Sequence, residues 1–224
     1  FNTLLQASVG AGGVATASGG NHGAAVAYAA RQLGHRAKIF VPEISSPAKV
    51  ARIASYGAEV VQKGANYSEA LALCDAWVAE SGAAGVHAYD AEATLEGQGT
   101  LARELEAQAP GIDTLLVAVG GGGLIGGIAA WYQSSVKVVG VEPFTCNTLH
   151  AALAAGERVA VKPSGLATDS LGASMVGRLM FDIAKEHIAQ MALVSDDAIP
   201  GNLRKMADPQ GVVRSRSSPQ RATG

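Results

Sequence analysis

Aromatic residues make up only 5% of this 224-residue chain and charged residues only 16%. With so few rings, a core has to be assembled from Ala, Val, Leu and Ile. A hydrophobic share of 48% excludes the charged, weakly apolar composition of disordered chains. There is no basic stripe: 17 Lys and Arg face 19 Asp and Glu, a formal net charge of -2. That balance argues against nucleic acid as the main partner. Cysteine is scarce too. Cys74 and Cys146 stand far apart without Cys-x-x-Cys spacing, which argues against a disulfide scaffold or structural zinc and favours a reducing, cytoplasmic setting. No run is apolar enough to span a bilayer, so no membrane partner is expected. The opening FNTLLQASVGAGG lacks the charged n-region of a signal peptide and reads like the middle of a helix. The chain is therefore expected to begin inside a larger domain.

Glycine is what the chain has in excess, with 28 residues, well above the roughly 7% of ordinary proteins. Two clusters stand out, SGGNHG at 18–23 and VGGGGLIGG at 119–127. Each falls where a strand-like run hands over to a helix-like run. Backbone N–H groups are unpaired at such a junction and can hold an anion without a cationic side chain. Two turns of different chemistry suggest one ligand with a phosphate at one end and another polar or anionic group at the other.

The intervening pattern alternates. AAVAYAARQLG reads as a helix closed by Gly34, HRAKIFVP as a buried strand, and Ser45-Ser46-Pro47 as the start of the next helix. AEVV is a strand, Asn66 or Ser68 caps a helix through Ala79, and GVHAY is a short strand. Further on come a helix over 92–108, a strand over 113–119, a helix through Trp131 and a strand over 136–142. Helices near 146–155 and 175–186 and the strand MALVS complete the series. This is the signature of βαβ units and parallel sheets, with ligands at the carboxyl ends of the strands. From Pro200 the pattern breaks into a basic stretch that reads as a flexible tail.

Each candidate site has a plainer alternative. The tetraglycine run suits a nest of N–H groups around a phosphate, or a simple tight turn. A dinucleotide fingerprint matches loosely but lacks its acidic partner, and no Lys-Ser or Lys-Thr follows for a Walker loop. In SGGNHG, Ser18 and the following N–H groups suit a carboxylate, and Asn21 can donate to a phenolate-like oxygen. The alternative is a serine cap with an Asn turn. His35, His87, His150 and His187 are scattered without metal spacing. Glu142 before Pro143 suits either a polar ligand or a strand terminator. Asp196-Asp197 reads as a charged first helical turn.

In order, SGGNHG, EGQGT (96–100), VGGGGLIGG and VVGVEP (138–143) resemble the fold-type II pyridoxal-phosphate enzymes. The closest branch is the serine/threonine dehydratases (threonine ammonia-lyases) and serine racemases. The resemblance covers residues 1–197. It implies an α/β fold with parallel or mixed sheets and a small mobile domain, about 13–90, inserted in a larger one formed by 1–12 and 91–199. Gly120, Gly121, Gly122, Gly123 and the Leu124 N–H would hold the cofactor phosphate. Asn21 would bond the ring oxygen. Ser18, Gly19, Gly20, Asn21 and His22 would bind the substrate carboxylate.

The implied reaction is β-elimination from L-threonine or L-serine, giving a 2-oxo acid and ammonia, in a cytoplasmic homo-oligomer. A racemase, or a non-catalytic phosphate-binding fragment, is the alternative. The lysine that carries the cofactor in this family is expected before Phe1, so no catalytic residue is assigned and the chain alone is expected to be inactive. The family's metal set would fall on Glu142, Cys146 and Thr148, one carboxylate short. Racemase relatives carry a serine where this chain has Gly19.

Overall fold

A computed structural model describes residues 1–199. Its first sheet holds β1 (Val14–Ala17), β2 (Ala37–Val41), β3 (Glu59–Gln62) and β4 (Ala84–Gly85), in the order β3-β2-β1-β4, every pair parallel. β1 is central and buried along its whole length. A strand covered on both faces cannot alternate, so VATA is continuously apolar or small. Its two faces pack against different cores, Val14 with Ile39, Val41 and Ile53, and Ala15 and Ala17 with Phe40 and Cys74.

The covering helices are α2 (Asn21–Gln32), α3 (Pro47–Ser55) and α4 (Tyr67–Ser81). α2 buries alanines (Ala24, Ala27, Ala29, Ala30), whose small side chains let it lie close to the sheet. Gly34 ends it at φ +74, and His35 N–H returns to the Ala30 carbonyl at 2.8 Å. α3 has Ser46 as N-cap and Pro47 in its first turn. Asn66 caps α4: its Oδ1 accepts the Glu69 N–H at 3.1 Å, while the Glu69 carboxylate accepts from Ala65 N–H at 2.9 Å.

The second sheet is β5 (Thr114–Ala118), β6 (Lys137–Pro143) and β7 (Ile188–Val194), parallel and in that order. Around it lie α5 (Glu92–Gln108), α6 (Gly123–Tyr132), α7 (Thr148–Ala155), the short α8 (Thr168–Leu171) and α9 (Arg178–His187). Ile125, Ile128, Val119, Val138, Leu149 and Met180 form its centre. The N-terminal α1 (Asn2–Gln6) is tied to the start of α5, where Thr3 Oγ1 donates to the Ala93 carbonyl at 3.1 Å.

The α/β architecture and most element positions agree with the sequence reading. GVHAY does not. β4 is only Ala84–Gly85, and Val86–Asp90 leave the sheet after one last bond, Val86 N–H to the Ala15 carbonyl at 2.9 Å. Beyond it, side chains supply the partners a neighbouring strand would have supplied. The basic stretch from Pro200 lies outside the described residues.

Candidate active site

Both glycine turns sit at carboxyl ends of strands, SGGNHG after β1 and VGGGGLIGG after β5. In the second turn, Val119 N–H still bonds the Val141 carbonyl at 3.1 Å, the last contact of the sheet. Gly122 then turns at φ +92 and caps α6, its carbonyl accepting from Gly126 N–H at 2.8 Å. Among the described residues, the N–H groups of Gly120, Gly121 and Gly122 find no acceptor. Those of Gly123 and Leu124 belong to the first helical turn, which has no intrahelical partner for them. Five consecutive donors at the positive end of a helix dipole suit a tetrahedral anion.

The glycines are also sterically required. A β-carbon on Gly121 would fall on the Tyr89 ring; one on Gly122 would come within 2.5 Å of Met180 Cε, and one on Gly123 within 2.9 Å of Tyr89 Cα. Gly126 and Gly127 serve a different purpose. A β-carbon on Gly127 would meet Gly99 N at 2.7 Å, and one on Gly99 would meet the Gly127 carbonyl at 3.1 Å. Gly99 of EGQGT and Gly127 of VGGGGLIGG therefore mark the crossing of α5 and α6, where backbone meets backbone, while Gly126 lies against the Met180 and Leu95 side chains.

In the first turn, Ser18 N–H bonds the Phe40 carbonyl at 3.0 Å and Gly20 N–H bonds Ser18 Oγ at 3.3 Å. Two groups expected to face a carboxylate are thus engaged with each other, although the Ser18 hydroxyl proton remains free to donate. Gly20 caps α2 without a side chain, which leaves the N–H groups of Asn21 and His22 in the open first turn. Gly19 lies against the β2–α3 connection, and a β-carbon there would fall on Ser45 Oγ.

His22 has a defined partner set. Thr16 Oγ1 donates to the Val86 carbonyl at 2.7 Å, so its proton is committed. The imidazole Nε2, at 3.0 Å from that hydroxyl and 3.2 Å from that carbonyl, must then be the protonated nitrogen. Burial holds the imidazole below its ordinary 6.5, with His87 acting in the same direction and the Val86 carbonyl opposing.

The segment Val86–Asp90 joins the two turns. Val86 binds Thr16 of β1 and His22 of the first turn. His87 Nδ1 accepts the N–H groups of Tyr89 at 3.2 Å and Asp90 at 2.9 Å, which folds the chain back. Tyr89 packs on Gly121 and Gly123 of the second turn, and Asp90 Oδ1 accepts the Leu179 N–H at 3.0 Å. In the sequence alone His87 stands among the scattered histidines, and neither Tyr89 nor Asp90 is singled out. The only local signal is a Tyr-Asp pair in a stretch too short to show a period.

Glu142 is fully buried, and each carboxylate oxygen accepts one N–H of the first turn of α7, Leu149 at 2.8 Å and His150 at 2.9 Å. Burial pushes it up to about 6, against those two bonds. It is a helix cap. The two other positions of the family's metal set, already short of a carboxylate, are engaged elsewhere: Thr148 Oγ1 donates to the Ala173 carbonyl at 2.9 Å and Cys146 Sγ to the Ser164 carbonyl at 3.2 Å. Among the described residues no three His, Cys, Asp or Glu converge on a metal position. Asp196 accepts from Thr145 Oγ1 at 3.0 Å, pinning the end of the second sheet.

Comparison with known proteins fits this geometry. The chain is 36% identical over 190 residues to the L-threonine ammonia-lyase of Geobacter sulfurreducens, covering 84% of this chain and 47% of that enzyme. It spans about half, or less, of the length of the curated relatives it matches. Among solved structures, the processed form of threonine deaminase isoform 2 from Solanum lycopersicum superposes with a TM-score of 0.87 at 30% identity, covering 94% of this chain and 63% of that one. Maize serine racemase superposes at 0.84 and 30% identity, over 88% and 60% of the two chains. The family model described as pyridoxal-phosphate dependent enzyme matches residues 2–218, and the chain belongs to that family.

Proposed function

We propose that the protein to which this chain belongs eliminates water from L-threonine or L-serine, releasing a 2-oxo acid and ammonia. The observation that carries the reading is the pair of open turns, at the ends of β1 and β5, joined by Val86–Asp90. The similar threonine ammonia-lyase and threonine deaminase support it. When bound, pyridoxal phosphate supplies an electron sink for the carbanion formed at the substrate α-carbon.

The roles of this chain are holding and orienting ones. Gly120–Gly123 and Leu124 hold the phosphate through backbone N–H groups, at no cost in side-chain entropy. The Ser18 hydroxyl and the N–H groups of Asn21 and His22 receive the substrate carboxylate, and the Asn21 amide bonds the ring oxygen. His22, neutral and bonded to Val86, adds no positive charge that would compete for that carboxylate. The reading includes a 13–90 lobe that moves as a unit, a cytoplasmic setting and a homo-oligomer. Both buried cysteines are free, and no helix among the described residues could cross a membrane.

One observation favours racemisation as a second reading. Gly19 offers no proton-bearing side chain, but the hydroxyl of Ser45 fills the space beside it. Racemisation requires an acid or base on each face of the substrate plane. The whole protein, supplied with L-serine and L-threonine, decides between them. Release of 2-oxo acid faster than D-serine supports elimination; the reverse ratio replaces it with racemisation, and neither product refutes both.

A further inference from the structure

We infer that Asp90 is a positioning residue for the anion-holding turn, acting through the start of α9 and Gly177. The inference rests on the reading of Gly120–Gly123 as a phosphate site.

Among the described residues, Gly121 is the one member of the tetraglycine run whose carbonyl is held from outside the turn. It accepts the Gly177 N–H at 3.0 Å. In a trans peptide the carbonyl and the next N–H point in opposite directions. Fixing the Gly121 carbonyl towards Gly177 therefore aims the Gly122 N–H to the other side, where it has no partner among the described residues. Gly122 occupies φ +92, where a glycine has unusual freedom to rotate. Without an external hold, that peptide plane could swing and present its carbonyl to the anion in place of its N–H.

The hold is itself held. Gly177 is the N-cap of α9 and has no side chain to stabilise that helix end. Asp90, distant in sequence, does so instead: Oδ1 accepts the Leu179 N–H at 3.0 Å. It also lies against Gly177 so closely that a β-carbon there would come within 3.0 Å of the same oxygen. Burial alone would raise the Asp90 carboxyl, but the N–H groups of Arg178 and Leu179 outweigh it, with His87 and Arg158 in support, and leave it below the ordinary carboxylate range. Asp90 is thus a charged cap whose own chain segment also carries Tyr89 onto Gly121. A carboxylate near an anion site would repel the ligand. Its commitment to the α9 dipole makes its geometric role the dominant one.

The test uses the whole protein, titrated by calorimetry with pyridoxine 5′-phosphate and with pyridoxine, which lack the aldehyde that would react with surface lysines. The ratio of the two affinities isolates the phosphate. Asp90→Ala should lower that ratio about tenfold, as expected from misdirecting one N–H to a charged acceptor, while pyridoxine binding stays unchanged. Asp90→Asn, which keeps an acceptor oxygen, should restore most of the ratio. If Asp90→Ala does not fold, Gly177→Ala takes its place, because its methyl group displaces the cap and should lower the ratio as well.

An unchanged or raised ratio in Asp90→Ala overturns the inference and leaves the phosphate reading standing. So does an Asn variant no better than Ala, because an acceptor oxygen at this position would then not be what holds the turn. Equal affinity of the unmutated protein for the two probes overturns the phosphate reading, and the inference falls with it.

Discussion

His22 and Thr16 share one acceptor, the carbonyl of Val86, and the hydroxyl proton of Thr16 decides which imidazole nitrogen of His22 carries hydrogen. A catalytic-looking histidine is thereby fixed as a neutral donor that fastens the first glycine turn to the segment leading to the second.

A depressed histidine pKa has a definite sign. The contribution of neutral His22 to stability is complete above 6.5 and is lost as the pH falls through the lower folded value. In a Glu142→Gln background, which removes the oppositely signed titration, melting temperatures followed between about pH 7 and pH 5 should fall. The fall should be shallower in His22→Gln, whose amide can donate to Val86 without titrating. Nitrogen chemical shifts showing hydrogen on Nδ1 at neutral pH would contradict the assignment.

Glu142 has the opposite sign. Its carboxyl is raised from 4.5 to about 6, so its contribution is complete below 4.5 and is lost as the pH rises through about 6. Glu142→Gln, made in the His22→Gln background to remove the competing titration, should abolish that slope. Glu142→Ala, which strands the N–H groups of Leu149 and His150, should cost about 3 kcal/mol in urea unfolding. Magnesium should leave the melting temperature of the unmutated protein where it is.

In the tetraglycine turn, on the proposed phosphate role, Gly121→Ala should weaken pyridoxine 5′-phosphate binding by tenfold or more, since its methyl group collides with Tyr89 and moves the turn by a fraction of an ångström. Gly10, with open space around it, is the control. Equal affinity in Gly121→Ala and Gly10→Ala would remove Gly121 from the site.

Gly19 and Ser45 should be energetically coupled. Gly19→Ala forces the Ser45 hydroxyl aside, and combining it with Ser45→Gly should recover about 1 kcal/mol relative to the sum of the single variants. Additive single variants would show that the two residues do not compete for one space. The same coupling means that Gly19→Ser, the direct way to add a proton-bearing group on this face, should be made together with Ser45→Gly.

The two glycine turns are legible because glycines in such number mark backbone geometry, and backbone geometry is local. The strand–helix alternation is legible for the same reason. The segment between the turns is not. GVHAY (85–89) reads as a strand because five residues cannot display a period, and the partners of Val86–Asp90, namely Thr16, His22 and Leu179, lie in distant parts of the chain. Glu142 was visible at its strand end, but an acid facing a metal and an acid capping a helix look alike until α7 is placed above it. The glycines of EGQGT were seen as a family mark, and their physical cause, contact with Gly127, needed the crossing of two helices to become visible.

Because nothing but main chain separates Gly99 from Gly127, α5 and α6 cannot slide past each other by exchanging rotamers, as helices with side chains between them can. The glycine turn at the head of α6 therefore inherits the position of α5. In a randomised library the two glycines should behave as a single site, since a methyl group on either one denies the other helix its place. A chain that loses one of them gains nothing by keeping the other.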